Sequence, residues 1–161
     1  MKKRSLAGLI ALFMVIAFLA VSCDNAAGGG SSKDLTDEQL YDLMLLEEYL
    51  DFDDDELPPG VEIAKDGDLS TSYTEKITLE DYSPESGIVI NGTDQMKTSL
   101  ATMTSERKSN LTITGMSISK VIYDVTIKFD PDPESEEQDV KGTITIDGKK
   151  HNVADIIEKL K

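Results

Sequence analysis

The chain has 161 residues, 39% of them hydrophobic and 29% charged, and its 16 basic and 31 acidic residues give a formal net charge of −15 at pH 7. Such an excess of acid repels phosphate groups, so nucleic acid is disfavoured as a partner and small cations are favoured. The single cysteine excludes an intramolecular disulfide.

The first 22 residues have the pattern of an export signal. Three basic residues, Lys2, Lys3 and Arg4, are followed by an unbroken apolar run at 6–21. That run of 16 residues is short for a bilayer span, which takes about 20 residues. Small residues precede Cys23, so cleavage is favoured over an uncleaved membrane helix with an unmodified cysteine.

The stretch Leu19-Ala20-Val21-Ser22-Cys23 resembles the lipobox of bacterial lipoproteins, although Leu19 lies four residues before the cysteine instead of three. The resemblance implies removal of residues 1–22 and a palmitate-type lipid anchor on Cys23. It also implies a location in the cell envelope, on the periplasmic or surface side of a membrane. The mature chain keeps 13 basic and 31 acidic residues, a net charge of −18. We therefore expect membrane contact through the lipid, since two or more acyl chains anchor a protein durably.

Residues 23–35 comprise this cysteine and a flexible Gly/Ser-rich tether of roughly 18 Å, and residues 36–161 form a single acidic domain. Thr36 and Gln39 fit a capping box, which predicts a helix from Asp37 to about Leu50. Apolar residues occur on every side of this helix. It either packs on the domain's own sheet or offers an apolar strip to a partner.

The acidic segment after the helix invites comparison with the calcium loop of EF-hands. Asp51, Asp53, Asp55 and Glu62 occupy the ligand positions 1, 3, 5 and 12 of that loop, where oxygen atoms converge on one ion. Glu56 stands where the loop needs glycine, and no second helix follows. A Ca²⁺ site at these four residues is therefore a hypothesis beside that of a solvated acidic loop.

From Val61 the apolar pattern changes to period 2, typical of strands with one wet face. Turns are predicted at residues 65–68, at 83–87, at Asn91-Gly92 and at Asp147-Gly148, with a bulge at Gly115 and a charged loop at 130–137. Residues 93–104 fit a strand or a short helix, and their threonines favour the strand.

The predicted fold class is α+β. A twisted or curved antiparallel sheet of about six strands is packed by the N-terminal helix and by a short amphipathic C-terminal helix that starts near Asn152. The apolar residues of that helix, Val153, Ile156, Ile157 and Leu160, lie on one side and must dock on the sheet.

The sequence contains no catalytic motif. His151 is the only histidine and is expected to lie exposed on a strand, so no enzyme activity is predicted. The first hypothesis is a non-enzymatic interaction or structural module with a possible protein partner. The second is a carrier of an apolar ligand or lipid, an arrangement similar to half-barrel lipoprotein carriers in fold alone. The third is a Ca²⁺-dependent module, and no cofactor other than Ca²⁺ is expected.

Overall fold

A computed structural model of the chain describes residues 35–68, 71–129 and 138–160. The predictions for the leader, Cys23, most of the tether and the loop 130–137 lie outside these residues. The described elements are helix α1 (Asp37–Tyr49), strands β1 (Val61–Asp68), β2 (Ser72–Tyr82), β3 (Val89–Ser99), β4 (Thr104–Thr114), β5 (Lys120–Phe129), β6 (Gln138–Ile146) and β7 (Lys149–Asn152), and helix α2 (Val153–Lys159).

The seven strands form one antiparallel sheet in which each strand pairs with its neighbours in sequence. This confirms the antiparallel sheet with two helices, with seven strands in place of about six. Residues 93–104 divide between the end of β3, a turn and the start of β4, which agrees with the favoured strand assignment.

The hairpin predicted at Asn91-Gly92 is wrong. Both residues lie inside β3, where Gly92 pairs with Leu79 on one side and with Leu111 on the other. Gly92 has φ +130°, and a Cβ there would lie 2.1 Å from the carbonyl oxygen of Asn110. The glycine thus serves a close approach of two strands instead of a turn.

Two further local predictions are wrong. Residues 65–68 continue β1, and Asp68 pairs with Ser72, so the chain turns after them. Gly115 is no bulge, since β4 ends at Thr114 and the glycine adopts φ +91° in the connection to β5. The turn at Asp147-Gly148 is confirmed, with φ of 49° and 84° at its two residues.

Both helices lie on one face of the sheet, which we call the inner face. Its apolar side chains form one core with those of α1 and α2, while the opposite side chains of β4 and β5 alternate to the solvent. The members buried most completely are Leu46, Leu79, Ile90, Leu111, Ile118, Val121, Ile144, Ile146, Val153 and Ile156. The protein is therefore a two-layer structure with one open sheet face.

The ends of both helices follow their sequence signals. The Thr36 hydroxyl accepts the N–H of Gln39 at 3.1 Å, and the Gln39 side chain accepts the N–H of Thr36 at 3.2 Å, so the capping box is confirmed. Asn152 caps α2 by accepting the N–H of Ala154 at 3.1 Å. Among the residues the structure describes, no helix is long and apolar enough to cross a membrane.

Candidate functional site

Helix α1 presents different chemistry on its two sides. Leu40, Leu43 and Leu46 are buried in the core, as a helix packed on a sheet requires. On the other side Tyr41 and Met44 keep 61% and 50% of their surface exposed. The helix therefore packs on the domain's own sheet, as one of the two alternatives predicted, and it leaves Tyr41 and Met44 uncovered.

The first polar attachment of α1 is at Asp42. This buried carboxylate accepts the backbone N–H of Ser117, in the β4–β5 connection, at 2.5 Å, and it also accepts the Ser117 hydroxyl. A rotation of the helix about its axis would break these two bonds and leave the buried carboxylate without partners, which is costly. The bonds therefore fix the rotation of α1.

The second attachment is an ionic cluster centred on Arg107 of β4. Arg107 Nε donates to Asp94 Oδ1 at 3.0 Å and Nη2 donates to Asp94 Oδ2 at 2.8 Å, a bidentate pair between neighbouring strands. Nη1 donates to Glu47 Oε2 of α1 at 2.6 Å. The guanidinium carbon lies 4.2 Å from the centre of the Tyr123 ring, within the range of a cation–π contact.

The cluster holds one positive and two negative groups in a buried setting. Burial alone would lower the pKa of Arg107, but the charges of Asp94 and Glu47 outweigh it and raise the pKa well above its ordinary value. Burial raises the pKa of Tyr123 well above its usual range, and the Glu47 charge raises it further. The phenol therefore stays neutral, and the arginine stays charged.

This cluster is built to hold α1 and not to bind an anion. The nitrogen atoms of Arg107 already face two carboxylates, so an added anion would meet excess negative charge. Glu47 Oε1 and the Tyr123 hydroxyl have no hydrogen-bond partner of standard geometry within the described chain. The charge of Glu47 nevertheless raises the pKa of Tyr123. The geometry indicates a positioning role for the cluster under the helix.

The inward position of Arg107, which was not among the predictions, has a signal in the sequence. Leu111 and Ile113 point into the core, so strand alternation places Ser109, Arg107 and Ser105 on the same side. The structure confirms that inward set as buried. Arg107 is the only arginine outside the leader, and an arginine at an inward position needs acidic partners.

The surface that α1 leaves open is small and rimmed by acid. Tyr41, Met44 and the half-buried Leu45 lie one turn apart on the helix, and Glu38 and Glu48 are exposed beside them. We call Tyr41, Met44 and Leu45 the outer strip. Its apolar groups sit on a helix that two polar attachments hold in place, as a contact surface requires.

The proposed calcium ligands do not converge. Glu62 points outward from β1 opposite Thr78, while Asp53 Oδ1 accepts the N–H of Asp55 in a local turn at 3.2 Å. Asp54 is engaged by Lys65. In the described segments no group of three or more His, Cys, Asp or Glu side chains is arranged to hold a metal ion. Calcium binding by Asp51, Asp53, Asp55 and Glu62 stays a prediction that this geometry does not support.

His151 differs from its expected position. It is 2% exposed and faces the core from β7, because Asn152 next to it turns outward to cap α2. Strand pairing places His151 opposite Ile144, which in turn pairs with Tyr123. A histidine covered in this way has no direct access to a substrate in solution.

Comparison with known proteins gives no relative: no family model matches the chain, and neither a curated protein nor a solved structure matches it.

Proposed function

We propose that the protein is a lipid-anchored protein of the bacterial cell envelope whose domain is a non-enzymatic interaction module. The anchor rests on the leader and on Cys23 in the sequence. The observation that carries the module is the outer strip of α1, where Tyr41 is 61% exposed and Met44 50% exposed on a helix fixed by Asp42 and Glu47.

Physical chemistry supports a contact role for these side chains. Exposed large apolar groups gain free energy when a partner covers them, at roughly 25 cal/mol per Å². Tyrosine and methionine are enriched at interfaces, where tyrosine buries a large ring while its hydroxyl keeps a hydrogen bond. Glu38 and Glu48 form a polar rim, which favours a partner with basic groups beside an apolar centre.

The carrier hypothesis receives less support from the inner face. An apolar ligand between helix and sheet would have to displace α1 or lie against the charged groups of Arg107, Asp94 and Glu47. Burying those charges against a hydrocarbon without new partners is unfavourable. The half-buried Met96 and Met116 at the border of the core fill space as methionines do in other cores.

Two measurements test the proposal. Mass spectrometry of the N-terminal peptide from an exporting bacterial host should show an acylated Cys23, and Cys23→Ser should release the protein from the membrane fraction. An unmodified Cys23 in a membrane-bound protein would refute the anchor.

The contact role is tested with a photo-crosslinking residue placed in cells at position 41 or 44, with position 112 on β4 as the control. Positions 41 and 44 should give a discrete adduct that disappears in a Leu45→Glu background, since that charge disrupts the outer strip. Equal adducts at all three positions, or none at 41 and 44, would contradict the module.

A further inference from the structure

Strand β1 is an open edge of the sheet. It pairs with β2 along one side, and no described strand pairs with its other side. Six of its eight residues are exposed to solvent. The opposite edge strand, β7, has only four residues, and α2 follows it directly. A long exposed edge such as β1 offers its backbone to another extended chain.

The backbone groups that β1 leaves open follow from one hydrogen bond. The N–H of Glu80 donates to the carbonyl oxygen of Gly60 at 2.8 Å, and the register of β1 with β2 places these two residues opposite each other. Antiparallel pairs alternate between hydrogen-bonded and non-hydrogen-bonded, so every second residue of β1 bonds to β2. The intervening residues Ile63 and Lys65 therefore point their N–H and C=O groups to the open side, where no described backbone group bonds to them.

The side chains that β1 contributes to the open face of the sheet are acidic. Glu62, Asp66 and Asp68 lie on that face with Ala64 between them, and β1 has no basic residue there. Within the described chain Glu62 and Asp66 form no ion pair, not even with Lys76, which lies opposite Ala64 on β2. A further strand with basic residues at alternate positions would place them beside these carboxylates.

The inner side of β1 adds to this negative field. The one basic residue of the strand, Lys65, is engaged there by Asp54 and by Glu75, the latter at 3.4 Å. Because Asp54 belongs to the acidic segment after α1, this contact places that segment beside the edge. The other acids of the segment are all exposed, namely Asp51, Asp53, Asp55 and Glu56. The edge therefore has excess acid on both sides, while its own lysine is neutralised.

We propose that the edge of β1 binds an extended segment of a partner protein that carries lysine or arginine at alternate positions, by addition of a strand to the sheet. The backbone of that segment pairs with the free groups of Ile63 and Lys65. Its basic side chains lie beside Glu62 and Asp66. This edge is a second contact surface, distinct from the outer strip of α1.

The same charges disfavour a second copy of the chain as the occupant. In the antiparallel register that pairs most of β1 with itself, Ile63 of one copy lies opposite Lys65 of the other, and Glu62 lies opposite Asp66. Like charges directly opposite each other destabilise a sheet. Acidic side chains on an edge thus oppose self-association and favour a basic partner.

The test uses the full chain, purified in detergent from an exporting host, and a fluorescent peptide of sequence Lys-Thr-Lys-Val-Lys-Thr-Lys. Its lysines have the spacing of the outward residues of β1. Fluorescence anisotropy measures binding at about 0.15 M salt, where exposed charges more than about 8 Å apart are largely screened.

Two methylated peptides separate strand pairing from charge attraction. When the lysines lie on the open face, the N–H groups of the threonines and the valine point to β1. N-methylation of these three residues should weaken binding by about tenfold or more, since it removes the hydrogen bonds to β1. N-methylation of three lysines keeps the same charge and removes N–H groups that point away, so it should weaken binding by less than about threefold.

Two pairs of substitutions make the same comparison on the protein. Glu62→Gln with Asp66→Asn should weaken binding of the unmethylated peptide by about threefold or more. Glu106→Gln with Asp124→Asn makes the same charge change on the same face away from the edge, and binding should stay within about twofold. The variant Leu45→Glu, which disrupts the outer strip, should bind the peptide as the wild type does.

Amide hydrogen exchange identifies the backbone groups directly. The N–H groups of Ile63 and Lys65 should exchange fast in the free protein and more slowly with the peptide bound, because only a paired strand protects them. Equal binding of the two methylated peptides, or unchanged exchange at Ile63 and Lys65, would overturn the inference, since the acids would then act as a diffuse field.

Two further outcomes would also overturn it. One is that none of the three peptides binds. The other is a dimer in sedimentation whose Ile63 and Lys65 amides are already protected, which would assign the edge to a second copy. A failure of the crosslinks at positions 41 and 44 would instead refute the outer strip and leave the result at β1 unaffected.

Discussion

Glu47 of α1 and Arg107 of β4, 60 residues apart in the chain, form an ion pair of 2.6 Å with side chains that are 14% and 6% exposed. Asp94 completes the pair into a cluster with one positive and two negative charges. The position of the outer strip depends on this contact because it ties α1 to strand β4 of the sheet.

The cluster predicts an unequal response to substitution. Arg107→Met leaves two carboxylates buried without a counter-charge and should lower the free energy of unfolding by about 3–5 kcal/mol. Glu47→Gln removes the excess negative charge and leaves the Asp94 pair intact, so it should cost about 1 kcal/mol. Urea unfolding measures both values. Equal losses in the two variants would contradict the dependence of the two buried carboxylates on the charge of Arg107.

The close approach of β3 and β4 at Gly92 predicts a large loss of stability when a single methyl group is added there. Gly92→Ala combines a φ of +130° with a Cβ 2.1 Å from the Asn110 carbonyl oxygen, so β3 and β4 would have to separate. Gly87→Ala is the matched control, since Gly87 has φ +91° with nothing within 4 Å of its Cβ. The control should cost about 1–2 kcal/mol from backbone strain, and Gly92→Ala at least twice as much. Similar urea midpoints for the two variants would contradict the close approach.

The position of Asn91-Gly92 inside β3 shows why part of the fold could not be predicted from the sequence. The same dipeptide suits a tight turn and a close approach of strands, because both use the freedom of glycine at positive φ. Which use applies depends on pairing partners far away in sequence, here Leu79 and Leu111. Two features that depend only on residues close in sequence were predicted correctly. They are the capping box of Thr36 and the turn at Asp147-Gly148.

The candidate site was less predictable than the fold for a related reason. Alternation determines that Arg107 points inward, but not that Glu47 and Asp94 meet it, since that requires the crossing of α1 over the sheet.

Tyr123 predicts a pH dependence at alkaline pH. Its folded pKa is raised well above its usual range by burial and by Glu47, so the folded state binds the phenolic proton more tightly than the unfolded state does. The resulting stability is complete below the unfolded pKa of about 10 and is lost as pH rises above that value. Tyr123→Phe removes the effect and, because the hydroxyl has no partner of standard geometry in the described chain, should change stability at neutral pH by less than about 1 kcal/mol.

The measurement is the difference in free energy of unfolding between wild type and Tyr123→Phe from neutral pH to about pH 11. The other four tyrosines are common to both proteins and cancel in the difference. The wild type should lose stability faster than the variant above pH 10. A difference that stays constant over the whole range would show that Tyr123 ionises as freely when folded as when unfolded.

The acidic segment predicts a negative result with calcium. Asp53 is used in a local turn with Asp55, Asp54 is engaged by Lys65, and Glu62 points outward from β1, so the carboxylates do not surround one point. Without a converging shell, Ca²⁺ acts only as a diffuse counter-ion and should raise the melting temperature no more than Mg²⁺ at equal millimolar concentration. The variant Asp53→Asn, Glu62→Gln should respond to both ions as the wild type does. A calcium-specific rise that this variant abolishes would show instead that the segment rearranges around the ion, and would restore the EF-hand-like site as a function of the protein.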